Sequence, residues 1–69
     1  MNFLPERLMP MPEVNRTTRM SRAEVYRRMK RPLSEGGFPQ PVKLGRASAW
    51  PESEVLAWVE ARKAERNAA

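Results

Sequence analysis

The spacing of apolar residues predicts a helix in the middle of the chain. Val25 and Met29 lie four residues apart, as residues on one face of a helix do. Ser21 and Glu24 form an S-x-x-E capping box, in which the serine hydroxyl accepts a first-turn backbone N–H and the glutamate reaches back to the serine backbone. Pro32 then ends the helix, because proline disfavours helical geometry at the residue before it.

Two further helices are predicted, one before and one after this segment. Pro12 at a first helical position begins a short helix that ends near Thr18, since threonine is a poor helix former. Near the C-terminus, Val55, Trp58 and Val59 recur at helical spacing behind a proline and two glutamates that favour a helix start. The chain therefore has three predicted helices.

Between the second and third helices, the pattern changes to that of a small β-hairpin. Residues 38–44 alternate along the chain, and two prolines confine this strand to a sheet edge or its beginning. Gly45 and Arg46 form the turn, and residues 47–50 return. Residues 7–9 are a candidate for a further short edge strand.

These elements follow the order strand, helix, helix, strand, strand, helix, which predicts an α+β fold. We expect a small winged helix-turn-helix domain over residues 7–66, with a flexible N-terminus at 1–6 and a frayed C-terminus at 67–69. Residues 31–37 are predicted to form a loop that its two adjacent glycines leave flexible. A domain this small buries only about 60% of the surface that its unfolded chain exposes.

Composition excludes several kinds of site. The chain has no cysteine and no histidine, so it lacks disulfides and the commonest metal ligands and general bases. Its eight acidic residues are all glutamates, placed as helix-surface residues and not as a catalytic pair. We therefore expect no catalysis, no cofactor and no metal. No apolar run reaches the roughly 20 residues of a membrane span, and no signal-peptide pattern opens the chain, so we expect a cytoplasmic protein.

Positive charge is concentrated in one stretch of the chain. Thirteen Lys and Arg residues against eight Glu give a net charge of +5. Residues 16–46 hold nine of the cations and two of the glutamates, so this stretch carries +7 and the remainder −2. Such a field attracts a polyanion, and ten of the 13 cations are arginines, which suit bidentate contacts with phosphate or guanine. A merely well-solvated surface is the alternative interpretation.

A helical wheel separates a core side from a charged side on the middle helix. With Val25 and Met29 on the core side, one arc gathers three cations, a tyrosine and an alanine small enough for close approach to a DNA groove. The N-terminal half of the arc is expected at base edges of the major groove, and its C-terminal end at phosphates. Glu24 and Arg28 lie four apart and can pair. The arc consists of Arg22, Ala23, Tyr26, Arg27 and Lys30.

Two turns add further candidates for DNA contact. Around the hairpin turn, a cation can enter the minor groove or meet a phosphate. Beside the turn between the first two helices, cations are placed for contact with the DNA backbone. These candidates are Lys43, Arg46 and Ser48 at the hairpin, and Arg16 and Arg19 at the helix–helix turn.

The aromatic residues allow two interpretations. Tryptophans stack on bases in some nucleic-acid-binding proteins, but we assign Trp50 and Trp58 to the core, because so small a domain needs large apolar groups. Phe38 is likewise expected to anchor the hairpin. Tyr26 either packs at the edge of the core or meets a phosphate, and the sequence leaves both open.

The order and spacing of several short motifs resemble the AlpA family of prophage regulators, which is close to the phage excisionases and the MerR-like winged helices. The similarity runs from about Leu8 to Val59. Each motif is short, and their combination is more specific than any of them alone. The motifs are Pro12-Glu13-Val14, Met20-Ser21-Arg22 followed by Tyr26, Phe38-Pro39-Gln40-Pro41-Val42-Lys43-Leu44-Gly45, and Trp50 with Ser53-Glu54-Val55 and Trp58.

The resemblance implies a winged helix that places its second helix in the major groove of double-stranded DNA and its wing on adjacent backbone or minor groove. On the matching positions, the recognition helix would carry Ser21, Arg22, Tyr26 and Arg27, and the wing would carry Arg46. It also implies a role at a mobile element, either in gene regulation or as a directionality factor for excision, with integrase or neighbouring copies as further partners. Two features depart from the family pattern. Arg19 stands where a glycine is usual, and the link from Lys30 to Gly37 is a few residues longer.

Two other functions remain possible at the level of sequence. A small basic winged helix can dock on an acidic face of a transcription or recombination protein and inhibit it without reading DNA. Opposite charges at Arg22 and Arg27 would abolish DNA binding but spare such an inhibitor. An RNA-binding domain is disfavoured, because no exposed aromatic platform is apparent.

Overall fold

The computed structural model describes residues 6–68 of the chain. Of the predicted end segments 1–6 and 67–69, residues 1–5 and 69 lie outside this range, and the predicted boundaries stay predictions. A 3₁₀ turn at Leu33–Glu35 lies between the second helix and the second strand. The remaining elements are β1 (Leu8–Pro10), α1 (Met11–Thr18), α2 (Arg22–Met29), β2 (Val42–Leu44), β3 (Ala47–Pro51) and α3 (Glu52–Ala68).

The three strands form one antiparallel sheet in the order β1-β3-β2. Met9 of β1 lies opposite Trp50 of β3, and Lys43 of β2 lies opposite Ser48. The central strand β3 therefore joins the N-terminal edge strand to the wing, which is the hairpin of β2 and β3. Three helices with this small sheet confirm the predicted α+β domain, and the arrangement is consistent with a winged helix.

The core lies where the helices meet β3. The indole N–H of the fully buried Trp50 donates to the carbonyl of Pro39 at 2.8 Å, so burial leaves no polar atom of that ring unpaired. The Phe38 ring packs between the two tryptophans, with centroids 6.1 Å from Trp50 and 5.3 Å from Trp58. Both tryptophans therefore belong to the core region, as predicted. The buried cluster consists of Met9, Val14, Val25, Phe38, Trp50 and Val55.

The capping box of α2 is only half formed. The Ser21 hydroxyl accepts the backbone N–H of Glu24 at 3.1 Å, as the S-x-x-E pattern predicts. The expected return bond from the Glu24 carboxylate to the Ser21 backbone is absent among the hydrogen bonds of residues 6–67. The carboxylate turns instead to Arg27 and Arg28, because a charged donor is a stronger partner than a backbone N–H.

The link from α2 to the wing contains a 3₁₀ turn at Leu33–Glu35 and ends in a buried glycine, where the sequence predicted an irregular loop. Gly36 adopts a left-handed φ of 85° at the end of the 3₁₀ turn. Gly37 is buried and donates its N–H to the Pro32 carbonyl at 3.0 Å. A Cβ at Gly37 would overlap the backbone of Arg31, so this glycine permits a close approach and does not supply freedom.

Candidate nucleic-acid interface

The predicted arc of α2 is exposed along its whole length. Val25 is fully buried and Met29 packs against the core from a half-buried position, which fixes the orientation of the helix. The opposite surface is free of tertiary contacts from core residues, as the wheel predicts. The exposed residues on it are Arg22, Ala23, Tyr26, Arg27 and Lys30.

An arginine–tyrosine contact organises the N-terminal half of this arc. The guanidinium of Arg22 lies over the Tyr26 ring, 5.4 Å from its centroid. Tyr26 is 36% exposed and lies outside the buried cluster, a position that fits both of its interpretations. A cation stacked on an aromatic ring loses little freedom when it binds, and its N–H groups stay available to acceptors in the plane of the guanidinium.

A second basic surface lies at the turn between α1 and α2. Arg16 and Arg19 border a shallow depression together with Ser21, at the positive end of α2. The side-chain amide of Asn15 donates to the Met20 carbonyl at 3.0 Å, which ties α1 to this turn. The depression thus combines two cations with a helix N-terminus, a combination that favours anions.

The wing presents its polar side chains at and beside its tip. The ammonium of Lys43 donates to the Ser48 hydroxyl directly across the hairpin, at 3.0 Å. Gly45 holds a left-handed φ of 66° at the turn, and the following Arg46 is exposed. The two wing cations therefore differ: Lys43 is braced against its neighbour strand, and Arg46 extends from the tip.

Two hydrogen bonds join α2 to the base of the wing. The backbone N–H of Phe38 donates to the Arg28 carbonyl at 3.0 Å, and the Gln40 amide donates to the Met29 carbonyl at 2.9 Å. Both acceptors are carbonyls of the last helical turn, which have no partner within the helix. Sequence reasoning did not assign Gln40 any role, because nothing local marks its side chain as a helix cap from 11 residues away.

Charge pairing within the interface involves one glutamate. Glu24 accepts from Arg28 Nε at 2.8 Å and also pairs with Arg27, which the helical wheel did not foresee although its i+3 spacing permits it. Hydrogen bonds from Arg27 and then from Arg28 hold the pKa of Glu24 below its ordinary value of 4.5. Within residues 6–67, the other interface cations form no ion pair; these are Arg16, Arg19, Arg22, Lys30, Lys43 and Arg46.

Comparison with known protein families accounts for most of the chain. The sequence profile described as prophage CP4-57 regulatory protein (AlpA) matches residues 7–63. The chain belongs to the AlpA family. This confirms the resemblance seen in the sequence motifs, and it makes the chain a member of a family of prophage regulators. No curated protein and no solved structure gives a significant match. Among residues 6–68, no helix is long and apolar enough to cross a membrane.

The structure explains one departure from the AlpA family pattern. Arg19 has a left-handed φ of 64°, and its backbone N–H donates to the Asn15 carbonyl at 2.8 Å to close α1. This is the geometry that favours glycine at a helix end. The turn has therefore kept the backbone that a glycine would adopt, and arginine occupies it at a strain of about 1 kcal/mol.

Proposed function

We propose that the chain is a sequence-specific DNA-binding protein of a prophage or related mobile element, without catalytic activity. It acts as a transcriptional regulator or as an excisionase, the directionality factor of excision. The observation that carries this proposal is the surface of unpaired cations on α2, the α1–α2 turn and the wing of an AlpA-family chain. A surface with many cations and few carboxylates attracts the phosphate backbone of double-stranded DNA, which supports this proposal.

The recognition step assigned to α2 follows from its exposed arc. Arg22 and Tyr26 lie toward its N-terminal half, the part of a recognition helix that meets base edges, and Ala23 leaves room for close approach. Arg22 has the fork geometry that suits guanine O6 and N7. Lys30 at the end of the helix is better placed for phosphate than for bases.

The turn and the wing supply contacts that position the protein. The depression at the α1–α2 turn binds a phosphate of the DNA backbone. Its anion-binding groups are the side chains of Arg16 and Arg19 and the N-terminus of α2 at Ser21. Arg46 at the wing tip, with Lys43 and Ser48 behind it, contacts adjacent backbone or enters the minor groove. Since one such module contacts only a short site, useful specificity calls for neighbouring copies or a partner such as integrase.

A salt-titrated electrophoretic mobility shift assay tests this proposal. The purified protein is titrated on DNA from around its own gene and on scrambled DNA of equal length and composition. We expect preferential, stepwise shifts on the native DNA, and an affinity that falls steeply with salt because phosphate contacts release counterions. Binding that ignores sequence at every salt concentration would contradict sequence-specific recognition. Bending of the native fragment, measured by circular permutation of the site, then separates an excisionase from a simple regulator.

A further inference from the structure

The recognition helix contains one carboxylate, and that carboxylate has two arginine partners. Glu24 Oε2 accepts from Arg28 Nε at 2.8 Å, while Oε1 accepts from Arg27 Nη2. The spacings are i+4 and i+3, so the three side chains lie side by side on the helix surface. The pair with Arg27 draws a cation of the DNA-facing arc toward an internal anion.

The two arginines are held to different degrees. Arg28 is 30% exposed, and its guanidinium also lies over the Trp58 ring, 5.6 Å from the centroid. Arg27 is 64% exposed, and within residues 6–67 its side chain has no hydrogen bond or ion pair besides the one with Glu24. A DNA site can therefore take Arg27 away from Glu24, whereas Arg28 keeps the carboxylate in place.

We propose that Glu24 is a selectivity residue, which withholds Arg27 from DNA unless a site offers that guanidinium better acceptors. This inference rests on the proposed DNA-binding function. A lone phosphate oxygen replaces the carboxylate by a similar charge-assisted bond, whereas a guanine edge offers two acceptors in the geometry of the guanidinium fork. Glu24 also stays near the DNA surface and repels phosphates in every complex. A non-specific complex therefore gains no net free energy from Arg27 and still has the phosphate repulsion, whereas a specific complex gains the second guanine bond.

The test compares Glu24→Gln with a matched control of the same charge change. Glutamine keeps the size of the side chain and serves at the same position of a capping box, so the helix start is preserved. Glu35→Gln is the control, because Glu35 is an exposed glutamate on the 3₁₀ turn with no ion pair within residues 6–67. Affinities of wild type and both variants are measured by fluorescence anisotropy on native and scrambled DNA at several salt concentrations.

Glu24→Gln is expected to tighten binding to scrambled DNA by up to about fivefold, the ceiling for an exposed ion pair. Its effect on native DNA is smaller, so the ratio of the two affinities falls. The salt slope on scrambled DNA steepens by about one unit, as Arg27 gains a phosphate. Equal tightening on both DNAs, matched by Glu35→Gln, overturns the proposal in favour of net charge alone. Weaker binding of native DNA by Glu24→Gln also overturns it, since the carboxylate would then contact the site itself.

A second variant tests the same inference by first removing the guanidinium that Glu24 is proposed to withhold. In an Arg27→Gln background, adding Glu24→Gln should leave the affinity ratio unchanged, because no guanidinium of the exposed arc remains paired with Glu24. A further fall of the ratio in that background overturns the proposal. Thermal unfolding by circular dichroism verifies that each variant is folded. A wild-type protein with no preference between the DNAs contradicts the proposed function, whereas a preference that Glu24→Gln leaves intact contradicts only the role of Glu24.

Discussion

Two groups of basic residues in this domain have different surroundings. Among those outside the candidate interface, Arg7 bonds both Glu13 and Glu52, Arg62 bonds Glu65, and Lys63 bonds Glu60. On the proposed DNA surface, most cations lack an anionic partner within residues 6–67. Exposed ion pairs contribute little to stability, typically under about 1 kcal/mol. The difference in pairing therefore affects the distribution of charge more than the stability of the fold. It leaves the positive charge uncompensated on the proposed DNA surface.

The largest expected effect on DNA affinity comes from reversing two charges on α2, with the same reversal on α3 as the control. Arg22→Glu with Arg27→Glu should weaken binding to native DNA by at least about 100-fold at moderate salt, because two phosphate or base contacts become repulsions. The matched control is Lys63→Glu with Arg66→Glu, which makes the same change in net charge on exposed positions of α3. It should weaken binding by less than about tenfold, through the long-range field alone. Both pairs are measured by mobility shift.

Equal losses in the two double variants would contradict a localised DNA surface. A reporter assay adds the comparison with the protein-binding alternative. If the α2 variant loses DNA binding but keeps its regulatory effect, an inhibitor that docks on another protein becomes the better explanation.

A smaller effect on DNA affinity is expected at Arg19. Glycine would be more stable at this backbone position, whereas the arginine charge favours DNA binding. Arg19→Gly should raise the free energy of unfolding by up to about 1 kcal/mol, because glycine adopts a left-handed φ without strain. The same change should weaken DNA binding several-fold, since it removes a cation from the α1–α2 turn. Arg19→Ala is the control, which loses the charge but keeps the strain. Urea unfolding and anisotropy measure the two quantities, and a glycine variant that binds like wild type would remove Arg19 from the interface.

The smallest expected effect is on the stability of the fold at low pH, through the carboxylates that accept bonds from Arg7 and Ser53. The pKa of Glu13 lies below its ordinary value of 4.5 because Arg7 donates hydrogen bonds to the carboxylate, and bonds from Ser53 lower the pKa of Glu6 in the same way. A carboxyl whose pKa is lower in the folded state stabilises the fold above the unfolded-state pKa. That contribution is lost as the pH falls through the folded-state value, so the melting temperature should drop below about pH 4.5.

Glu13→Gln should make this decline slightly shallower, with Glu35→Gln as the unpaired control. Melting temperatures recorded by circular dichroism from pH 7 to pH 3 provide the measurement. If both variants follow the wild-type curve, the Arg7 network does not contribute to acid stability.

The regular elements could be predicted because their signals are local. The S-x-x-E pattern, the proline in the first turn of α1, the proline before α3 and the glycine of the wing each act on a neighbouring backbone. The helix starts, β1 and β3 lie within a residue or two of their predicted positions. The strand predicted at residues 38–44 was wrong at its start, since β2 spans only Val42–Leu44. The orientation of α2 was predictable for the same reason. Val25 and Met29 define a core side, and the remaining arc is then fixed by helix geometry.

The features that escaped prediction depend on contacts between distant segments. Gly37 reads as a flexible residue until the backbone of Arg31 is found against it. The Glu24–Arg28 pair was predicted from its spacing, but the contact of the Arg28 guanidinium with the Trp58 ring on another helix was not. Residues of the candidate interface were predictable as exposed cations, but which bases or phosphates they meet depends on a duplex whose sequence the chain does not encode.

The bonds from Phe38 to Arg28 and from Gln40 to Met29 have a mechanical consequence. They hold the last turn of α2 against the segment that leads into the wing. Under the proposed DNA-binding function, a duplex that receives both elements would have to fit the spacing that these bonds set, and stiff and pliable base-pair steps differ in the free energy needed to do so. Discrimination among DNA sequences would then extend to base pairs that none of the side chains touch.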